Sequence, residues 1–475
     1  MSTSKTTPVL YSLCAVMGLT CVVMWTDLVG QQSAFVEVAN ASQGIPNARL
    51  LCLIGQIAAA LLCAVCPRAL RHWDRALIAL IVGLYILIAI GFGLAVDGSR
   101  LHLATALACL ILAGAGYTAI AILLLSQIAR LASPSSALGI IVGALASETC
   151  LFPLASSVPT DKYFSVCLIG VPLLAAVCAI VLPILASRMS QVRDIAELPK
   201  CTKEARQRVF ILLATIAILR ASVRALGSMG FWGTGDAGSN TPTDCLLSAA
   251  LLVLFAWLTM VLYRNDDPFN RFLPAFLVVL GGFFLIDPTF VISHMISGQL
   301  AFLQLFVESF TYTMYWYIIV VSIRQLDVHP YRIAGLAFLL FSGFSAPLVL
   351  ALSHSDALAG PLVMLVQYGF IVVMGITSLS AGRRSLSGNL ASQEENTLEL
   401  LAERHHLSPR ECEVFLLLAQ GRSRAYIEKE LFIAEGTVKT HTSRIYQKFG
   451  VSGKQELISL VRDEADSMSA EHISS

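Results

Sequence analysis

The feature that most constrains this chain is a succession of apolar runs, each 19 or more residues long, that extends from about Pro8 to Ser380. A helix needs about 20 apolar residues to cross the hydrocarbon core of a bilayer. Because a lipid-exposed backbone must satisfy its own hydrogen bonds, such runs predict helices. Only 13% of the residues are charged, against roughly 25% in a soluble globular protein. The chain up to about Ser380 is therefore predicted to be embedded in a membrane.

The apolar runs predict twelve spans and an all-α fold. The first run is too long for a signal-peptide core and is predicted to be a retained span. The fifth is interrupted by Glu148 and Pro153. The predicted bounds are 9–31, 48–66, 76–96, 102–128, 136–158, 163–186, 209–231, 244–263, 272–291, 296–322, 333–353 and 358–380.

Basic residues in the loops predict the orientation. One alternating set of loops and flanks holds sixteen lysines and arginines, and the other holds three, Arg49, Arg100 and Lys162. Loops rich in Lys and Arg stay in the cytoplasm. The richer set includes both ends of the membrane part, so we expect a multi-pass protein of the inner (cytoplasmic) membrane with both termini in the cytoplasm.

The longest cytoplasmic loop, about 187–208, divides the spans into six and six. A 6+6 order with a basic central loop resembles the major facilitator superfamily in topology. That superfamily usually carries G-x-x-x-D-R-x-G-R-R after its second span. Only Asp74-Arg75 matches this signature here, a departure that weighs against working transport.

Ionisable residues inside spans are costly and usually face the protein interior. Asp27, Glu148, Arg220, Arg224 and Glu308 all fall within predicted spans. In the resembled superfamily, spans 1, 4, 7 and 10 line a central cavity. The five ionisable residues here lie in spans 1, 5, 7 and 10, three of which belong to that set. We expect a ligand pocket with these roles: Arg220 and Arg224 for an anion, Glu308 as counter-charge, Tyr312 and Trp316 as apolar walls. Alternatively, Glu308 only neutralises an arginine and holds two spans together.

After Arg383 the composition becomes that of a soluble protein. The predicted domains are a membrane domain over 1–382, a linker over 383–402, a DNA-binding domain over 403–466 and a tail over 467–475. The linker is polar and contains Gly, Ser and Asn, which indicates a short tether. A helical continuation from Glu394 to His405 is the alternative.

The segment from Leu407 onwards contains several sequence signals for helix starts and ends. Ser408-Pro409-Arg410-Glu411 forms a capping box with Pro at the first helical position. That helix is expected to end near Ala419, and Ser423 can cap a second helix. A third helix is predicted from about Thr437 to Phe449, with Val438, Ile445 and Phe449 on its buried side. A fourth begins at Ser452, which with Gln455 makes a second capping box.

The sequence of these helices resembles the LuxR/NarL-type helix-turn-helix family over about 60 residues. The matching residues include Leu407 to Glu411, Gly421 to Ser423, Leu431 to Ile433, Glu435 to His441, Ile445 to Lys448 and Gly450-Val451. The resemblance implies that the third helix reads bases and the fourth commonly mediates dimerisation. By position, base contacts are expected from Lys439, Thr440 and Ser443, and phosphate contacts from Thr437, Arg422, Arg444 and Lys448.

Two residues depart from the family pattern. Glu428 stands where the family usually has a small Ala, at the contact between the second and third helices. Ala434 stands where Ser is usual, which predicts the loss of an N-cap worth about 1 kcal/mol.

The sequence predicts double-stranded DNA, membrane lipid, an unknown small-molecule effector and a second copy of the chain as partners. No cofactor, metal site or enzymatic activity is expected. The leading interpretation is a membrane-embedded one-component regulator whose transporter-like domain senses a signal. The alternatives are a secondary transporter with a regulatory DNA-binding tail and a passive membrane anchor.

Overall fold

The structure is a computed structural model. It describes residues 6–31, 34–41, 48–94, 100–130, 134–156, 164–189, 203–228, 241–262, 301–326, 328–354, 398, 401–419, 421–461 and 464. The chain divides into two compact units, residues 1–376 and 377–475. Within the described ranges both units are helical and contain no strand, as the all-α prediction requires.

The first unit consists mainly of long helices. A π-helix, Phe164–Gly170, leads directly into one of them. In chain order the α-helices are α1 (Thr6–Gln31), α2 (Ala34–Ala41), α3 (Arg49–Val65), α4 (Pro67–Leu94), α5 (Arg100–Ile128), α6 (Pro134–Ser156), α7 (Val171–Ser187), α8 (Lys203–Ser228), α9 (Pro242–Leu262), α10 (Ala301–Gln325) and α11 (Pro330–His354).

Eight helices in the described part of this unit are long and apolar enough to cross a membrane. The shorter apolar helix α3 and the arginine-bearing α8 coincide with two more predicted spans. The predicted spans 272–291 and 358–380 lie outside the described residues, so the count of twelve stays a prediction. The tail 467–475 and most of the central loop and linker also lie outside them.

Small residues let α3 pack closely between α5 and α11. A Cβ added at Gly55 would lie 1.9 Å from the carbonyl oxygen of Ile111, and one at Gly114 would lie 2.0 Å from that of Cys52. A Cβ added at Gly335 on α11 would come within 2.8 Å of the backbone nitrogen of Ala64. Close backbone approach at small residues is how helices associate in lipid, where no hydrophobic effect drives them together. Through α3 and α11 the two halves of the first unit are in direct contact.

One buried apolar cluster runs through the helices of the first unit, with Trp25, Tyr85, Trp316 and Phe338 among its fully buried members. Large apolar side chains also remain exposed on the outside, for example Leu80, Leu87 and Leu94 on α4. Exposed apolar surface on this scale marks a membrane interaction site. These helices are those of a multi-pass membrane protein.

The second unit is a small helical domain with a core of its own. Its helices are α12 (Pro409–Ala419), α13 (Arg424–Leu431) and α14 (Glu435–Phe449), and residues 454–461 form a fourth. The core contains Val414, Phe415, Leu418, Ile427, Val438, Ile445, Phe449 and Leu457. Helix α14 begins two residues before the predicted start, and its predicted buried side is confirmed.

Candidate DNA-binding surface and membrane-embedded charge cluster

The capping box at the start of α12 forms as predicted. The backbone N–H of Ser408 donates to the Glu411 carboxylate (2.9 Å), and the N–H of Glu411 donates to the Ser408 hydroxyl (3.4 Å). Glu411 is also paired with the Lys448 ammonium at 2.7 Å. The hydrogen bond from Lys448 and that from the Ser408 backbone lower the pKa of Glu411 to about 2. A buried carboxylate thus joins the first and third helices of the domain.

The turn between α13 and α14 sets the direction of the third helix. The Ser423 hydroxyl accepts from the N–H of Tyr426 at 3.2 Å and caps α13. Phe432 ends α13 in the left-handed conformation (φ 53°), and its side chain is 94% exposed. Ala434 occupies the N-cap of α14 and supplies no side-chain hydrogen bond, as predicted. Glu435 lies in the first turn, where its negative charge interacts favourably with the positive end of the helix dipole.

Helix α14 has one face in the core and one free. Val438, Thr442, Ile445 and Phe449 are its buried residues. The predicted base-contacting residues Lys439, Thr440 and Ser443 are all exposed, as are Thr437 and Arg444. Because residues three and four apart share a helix face, Lys439, Thr440, Ser443 and Arg444 form one continuous surface. That surface, together with Thr437, is the candidate DNA-binding surface.

The other two residues predicted to contact phosphates, Lys448 and Arg422, interact with groups of the domain itself. The Lys448 ammonium donates to the carbonyl oxygen of His406 and to Glu411, both at 2.7 Å, so it serves the interior of the domain. The Arg422 guanidinium lies 5.0 Å from the centre of the Tyr426 ring, and Arg422 is exposed. Lys454, which the sequence did not single out, donates to the carbonyl oxygens of Gly421 and Arg422.

The fourth helix is capped by a different residue from the one predicted. The backbone N–H and the hydroxyl of Ser452 both donate to Glu456, at 2.7 and 2.5 Å, and these bonds lower the pKa of Glu456. The prediction of Gln455 as the partner was wrong by one residue, because the helix starts at residue 454. Glu428, the other family departure, is half-buried, and its carbonyl oxygen accepts from the N–H of Ile433 at 3.2 Å.

In the first unit, the predicted charged residues come together around Arg224. Its guanidinium donates to Asp27 on α1 and to Glu308 on α10, the latter at 3.0 Å. The interpretation of Glu308 as a partner that holds spans together is therefore supported by the geometry. Asp27, which the sequence left outside the pocket, belongs to the same cluster. Glu148 on α6 is also buried.

Arg220, one turn before Arg224, is in a different state. It is 2% exposed, and its Nη2 lies 3.6 Å from Glu308. Its guanidinium carbon stands 4.3 Å from the centre of the Tyr312 ring, a cation–π contact. Its Nε and Nη1 atoms have no hydrogen-bond partner among the described residues.

Of the two residues predicted to form the pocket walls, Tyr312 lines the cleft and Trp316 does not. The Tyr312 hydroxyl is hydrogen-bonded to that of Tyr117 on α5, which ties the two halves together. Trp316 is fully buried and packs against Tyr312 with ring centres 4.7 Å apart. A cleft with about 640 Å³ of empty space, counted to its open mouth, is lined by Arg220, Arg224 and Tyr312 but by neither Trp316 nor Glu308.

The cleft lies toward one end of the helices. It is lined by Thr26 and Gly30 near the end of α1, by Arg49 at the start of α3 and by Val349 near the end of α11. All of these lie at the helix ends opposite the arginine-rich loops. Toward the other end, the Tyr331 hydroxyl of α11 donates to the Asp74 carboxylate at 2.7 Å. Asp74 thus joins the start of α11 to α4.

Residues 405–461 match the family described as bacterial regulatory proteins, luxR family. The chain is 47% identical over 57 residues to the spore germination protein GerE of Bacillus subtilis (strain 168), covering 12% of this chain and 77% of that protein. It is 38% identical over 87 residues to the probable transcriptional regulatory protein NarL of Mycobacterium tuberculosis, covering 18% of this chain and 39% of that protein. The chain thus spans less than half the length of the NarL protein.

Two solved structures share the fold of the larger part of the chain. A bacterial homologue of the iron transporter ferroportin in an outward-facing state matches with a TM-score of 0.56 and 15% identity, over 78% of this chain and 98% of that one. The major facilitator superfamily proton:xylose symporter XylE matches with a TM-score of 0.51 and 13% identity, over 78% of this chain and 93% of that one. The first unit therefore has the major-facilitator fold. Through its C-terminal helix-turn-helix, the chain belongs to the luxR family of DNA-binding bacterial transcription regulators.

Proposed function

We propose that this protein is a one-component transcription regulator whose membrane unit controls its DNA-binding domain. The observation that carries the proposal is the covalent union of a luxR-family helix-turn-helix with a unit of major-facilitator fold. The membrane unit takes the place of a sensory domain and binds a small-molecule effector. The effector acts by its differential affinity for two states of the membrane unit, since only such a difference can shift their equilibrium.

We infer that the protein lies in the inner membrane with both termini in the cytoplasm. Sixteen basic residues on one side against three on the other support this orientation. It puts the luxR-type domain on the side of the chromosome. In this orientation the cleft lies near the helix ends that face away from the cytoplasm.

The DNA-binding form is a homodimer, with the helix over 454–461 as its contact. Leu457 and Val461 on this helix serve the core of the domain, whereas Gln455 and Ser459 are exposed. Each α14 enters the major groove, and the two half-sites lie about one helical turn apart. Lys439, Thr440 and Ser443 face base edges, and Arg444, Thr437 and Arg422 face phosphates.

We propose no enzymatic activity for this chain. A secondary transporter with a regulatory tail is the second candidate, and the fold shared with the symporter XylE favours it. Uptake of substrate by vesicles containing the purified protein would support the transporter. Regulation without uptake would support the sensor.

The test is a reporter strain carrying a duplex selected by the purified protein from a random-sequence pool. We compare the full chain with a chain lacking residues 1–380 and with the full chain carrying Lys439→Ala and Arg444→Ala. Regulation that is constitutive or lost in the truncated chain supports control by the membrane unit. Unchanged regulation would mean that the membrane unit is a passive anchor. Unchanged regulation by the double variant would remove α14 as the DNA reader.

A further inference from the structure

We propose that the cleft binds a small organic carboxylate, and that Arg220 and Ser345 hold its charged end. This inference rests on the proposed function, because it names the chemical class of the effector. It also distinguishes the two arginines that the sequence treated as a pair.

The first support is the state of Arg220. Its side chain lines the cleft and is almost completely buried, yet Nε and Nη1 have no acceptor among the described residues. An ionised group withdrawn from water needs hydrogen-bond partners. A carboxylate in the cleft would supply acceptor oxygens to these N–H groups. Arg224 has its two carboxylate partners already and is left to hold α1, α8 and α10 together.

The second support is an independent polar atom at the same cleft. The hydroxyl of Ser345 on α11 lines the cleft, is buried, and also lacks a partner among the described residues. Arg220 lies on α8, so the two orphaned groups come from different helices. Buried polar groups without partners are rare and call for an explanation. One carboxylate would satisfy groups on both helices and so report to both.

The charge and the apolar wall of the cleft define the class of ligand. Three guanidinium groups, those of Arg49, Arg220 and Arg224, line the cleft, and Asp27 is the one carboxylate among the lining residues. The rest of the wall is largely apolar or aromatic, with Leu53, Phe341 and Val349. A positive site with an apolar wall fits an organic anion better than a sugar or an inorganic ion.

Such a carboxylate has two sources, a water-soluble aromatic acid or a fatty acid from the membrane. The experiment therefore uses benzoate and octanoate as probes, with benzamide as the neutral match of benzoate. Binding is measured by calorimetry on the purified full-length protein in detergent. The variants are Arg220→Gln and Ser345→Ala, and the control is Arg188→Gln, which removes an exposed arginine at the end of α7.

We expect at least one of the two carboxylates to bind and benzamide not to bind. Arg220→Gln should weaken carboxylate binding at least about tenfold, because a charge-assisted hydrogen bond is lost. Ser345→Ala should weaken it about two- to tenfold, and Arg188→Gln should leave it unchanged. Tighter binding of benzoate identifies a water-soluble source, and tighter binding of octanoate identifies a membrane source.

Several results would overturn the inference: binding of neither carboxylate, equal binding of benzamide, or unchanged binding by Ser345→Ala and Arg220→Gln. Should Arg220→Gln fail to fold, Ser345→Ala decides alone. The same preparations are tested for binding to the selected duplex. Duplex binding without carboxylate binding would refute only the proposed carboxylate site and would leave the proposed DNA binding unaffected. Carboxylate binding that leaves reporter regulation unchanged refutes control by the membrane unit and leaves the site intact.

Discussion

Arginines stand in opposite surroundings in the two units of this protein. On α14, Arg444 is exposed on the face that points away from the core. On α8, Arg224 is fixed between Asp27 and Glu308, and Arg220 is buried against Tyr312. An exposed cation keeps its water until a phosphate replaces it, so its loss costs affinity and hardly any stability. A buried cation is part of the fold, because its removal strands the charges that surround it.

The largest effect is expected for Arg224→Met. The substitution leaves Asp27 and Glu308 without their shared cation. Breaking a fully buried pair this way costs about 3–5 kcal/mol, which is the upper bound for this half-buried cluster. Thermal unfolding of the full-length protein in detergent measures the loss. Adding Asp27→Asn to the variant should restore part of the stability, since one stranded charge is removed. The control Arg444→Ala should change stability by less than about 0.5 kcal/mol. Equal stability of Arg224→Met and the wild type would contradict the comparison.

The second prediction concerns Glu411, a buried charge within the DNA-binding unit. Its pKa is about 2 in the folded protein and about 4.3 in an unfolded chain. Because the folded value is the lower one, the stabilisation is complete above the unfolded pKa and is lost as the pH falls through the folded pKa. The difference corresponds to roughly 3 kcal/mol at neutral pH.

Urea unfolding of residues 390–475 between pH 2 and pH 7 tests this. The stability advantage of the wild type over Glu411→Gln should shrink as the pH falls from about 5 to 2. The matched control is Glu413→Gln on the same helix. Glu413 pairs with Arg410, but its side chain is 48% exposed, and exposed pairs contribute about 0–1 kcal/mol. A pH-independent difference between wild type and Glu411→Gln would show that the buried pair with Lys448 does not stabilise the domain.

The third prediction separates base readout from phosphate contact on α14. Lys439→Ala should reduce affinity for the selected duplex by about 1–3 kcal/mol and relax its sequence preference. Arg444→Ala should weaken binding to all duplexes alike and lower the slope of log affinity against log salt by about 1. Binding titrations at several salt concentrations measure both. Identical behaviour of the two variants would contradict the assigned roles.

The sequence predicted the DNA-binding unit in more detail than the membrane unit. Capping boxes and helical spacing are local, so they placed α12 to α14 and the exposed face of Lys439 and Arg444 correctly. The error at Gln455 was one residue, the usual uncertainty at a helix end. In the first unit, apolar length predicted the spans that fall within the described residues, and the charges within them marked the cluster.

Pairing within that cluster was not readable from the sequence. Asp27 and Arg224 are 197 residues apart, and only the tertiary fold brings the end of α1 next to α8. The same holds for Lys448. Its position on α14 indicated a phosphate contact, but the partner that occupies its ammonium lies 37 residues earlier. Ser345 carried no signal, because a serine in an apolar helix usually bonds to its own backbone.

The smallest effect is expected at the start of α14, where exposure is high and no buried charge is involved. Ala434 has the extended backbone of an N-cap but no side-chain acceptor. Ala434→Ser should therefore stabilise the DNA-binding unit by about 1 kcal/mol, measured by urea unfolding of residues 390–475. The control is Ala425→Ser in the first turn of α13, which should leave stability nearly unchanged because Ser423 already caps that helix end. If Ala434→Ser gave no gain, Glu435 in the first turn would already satisfy the helix end, and the departure from the family pattern would be compensated within the same turn.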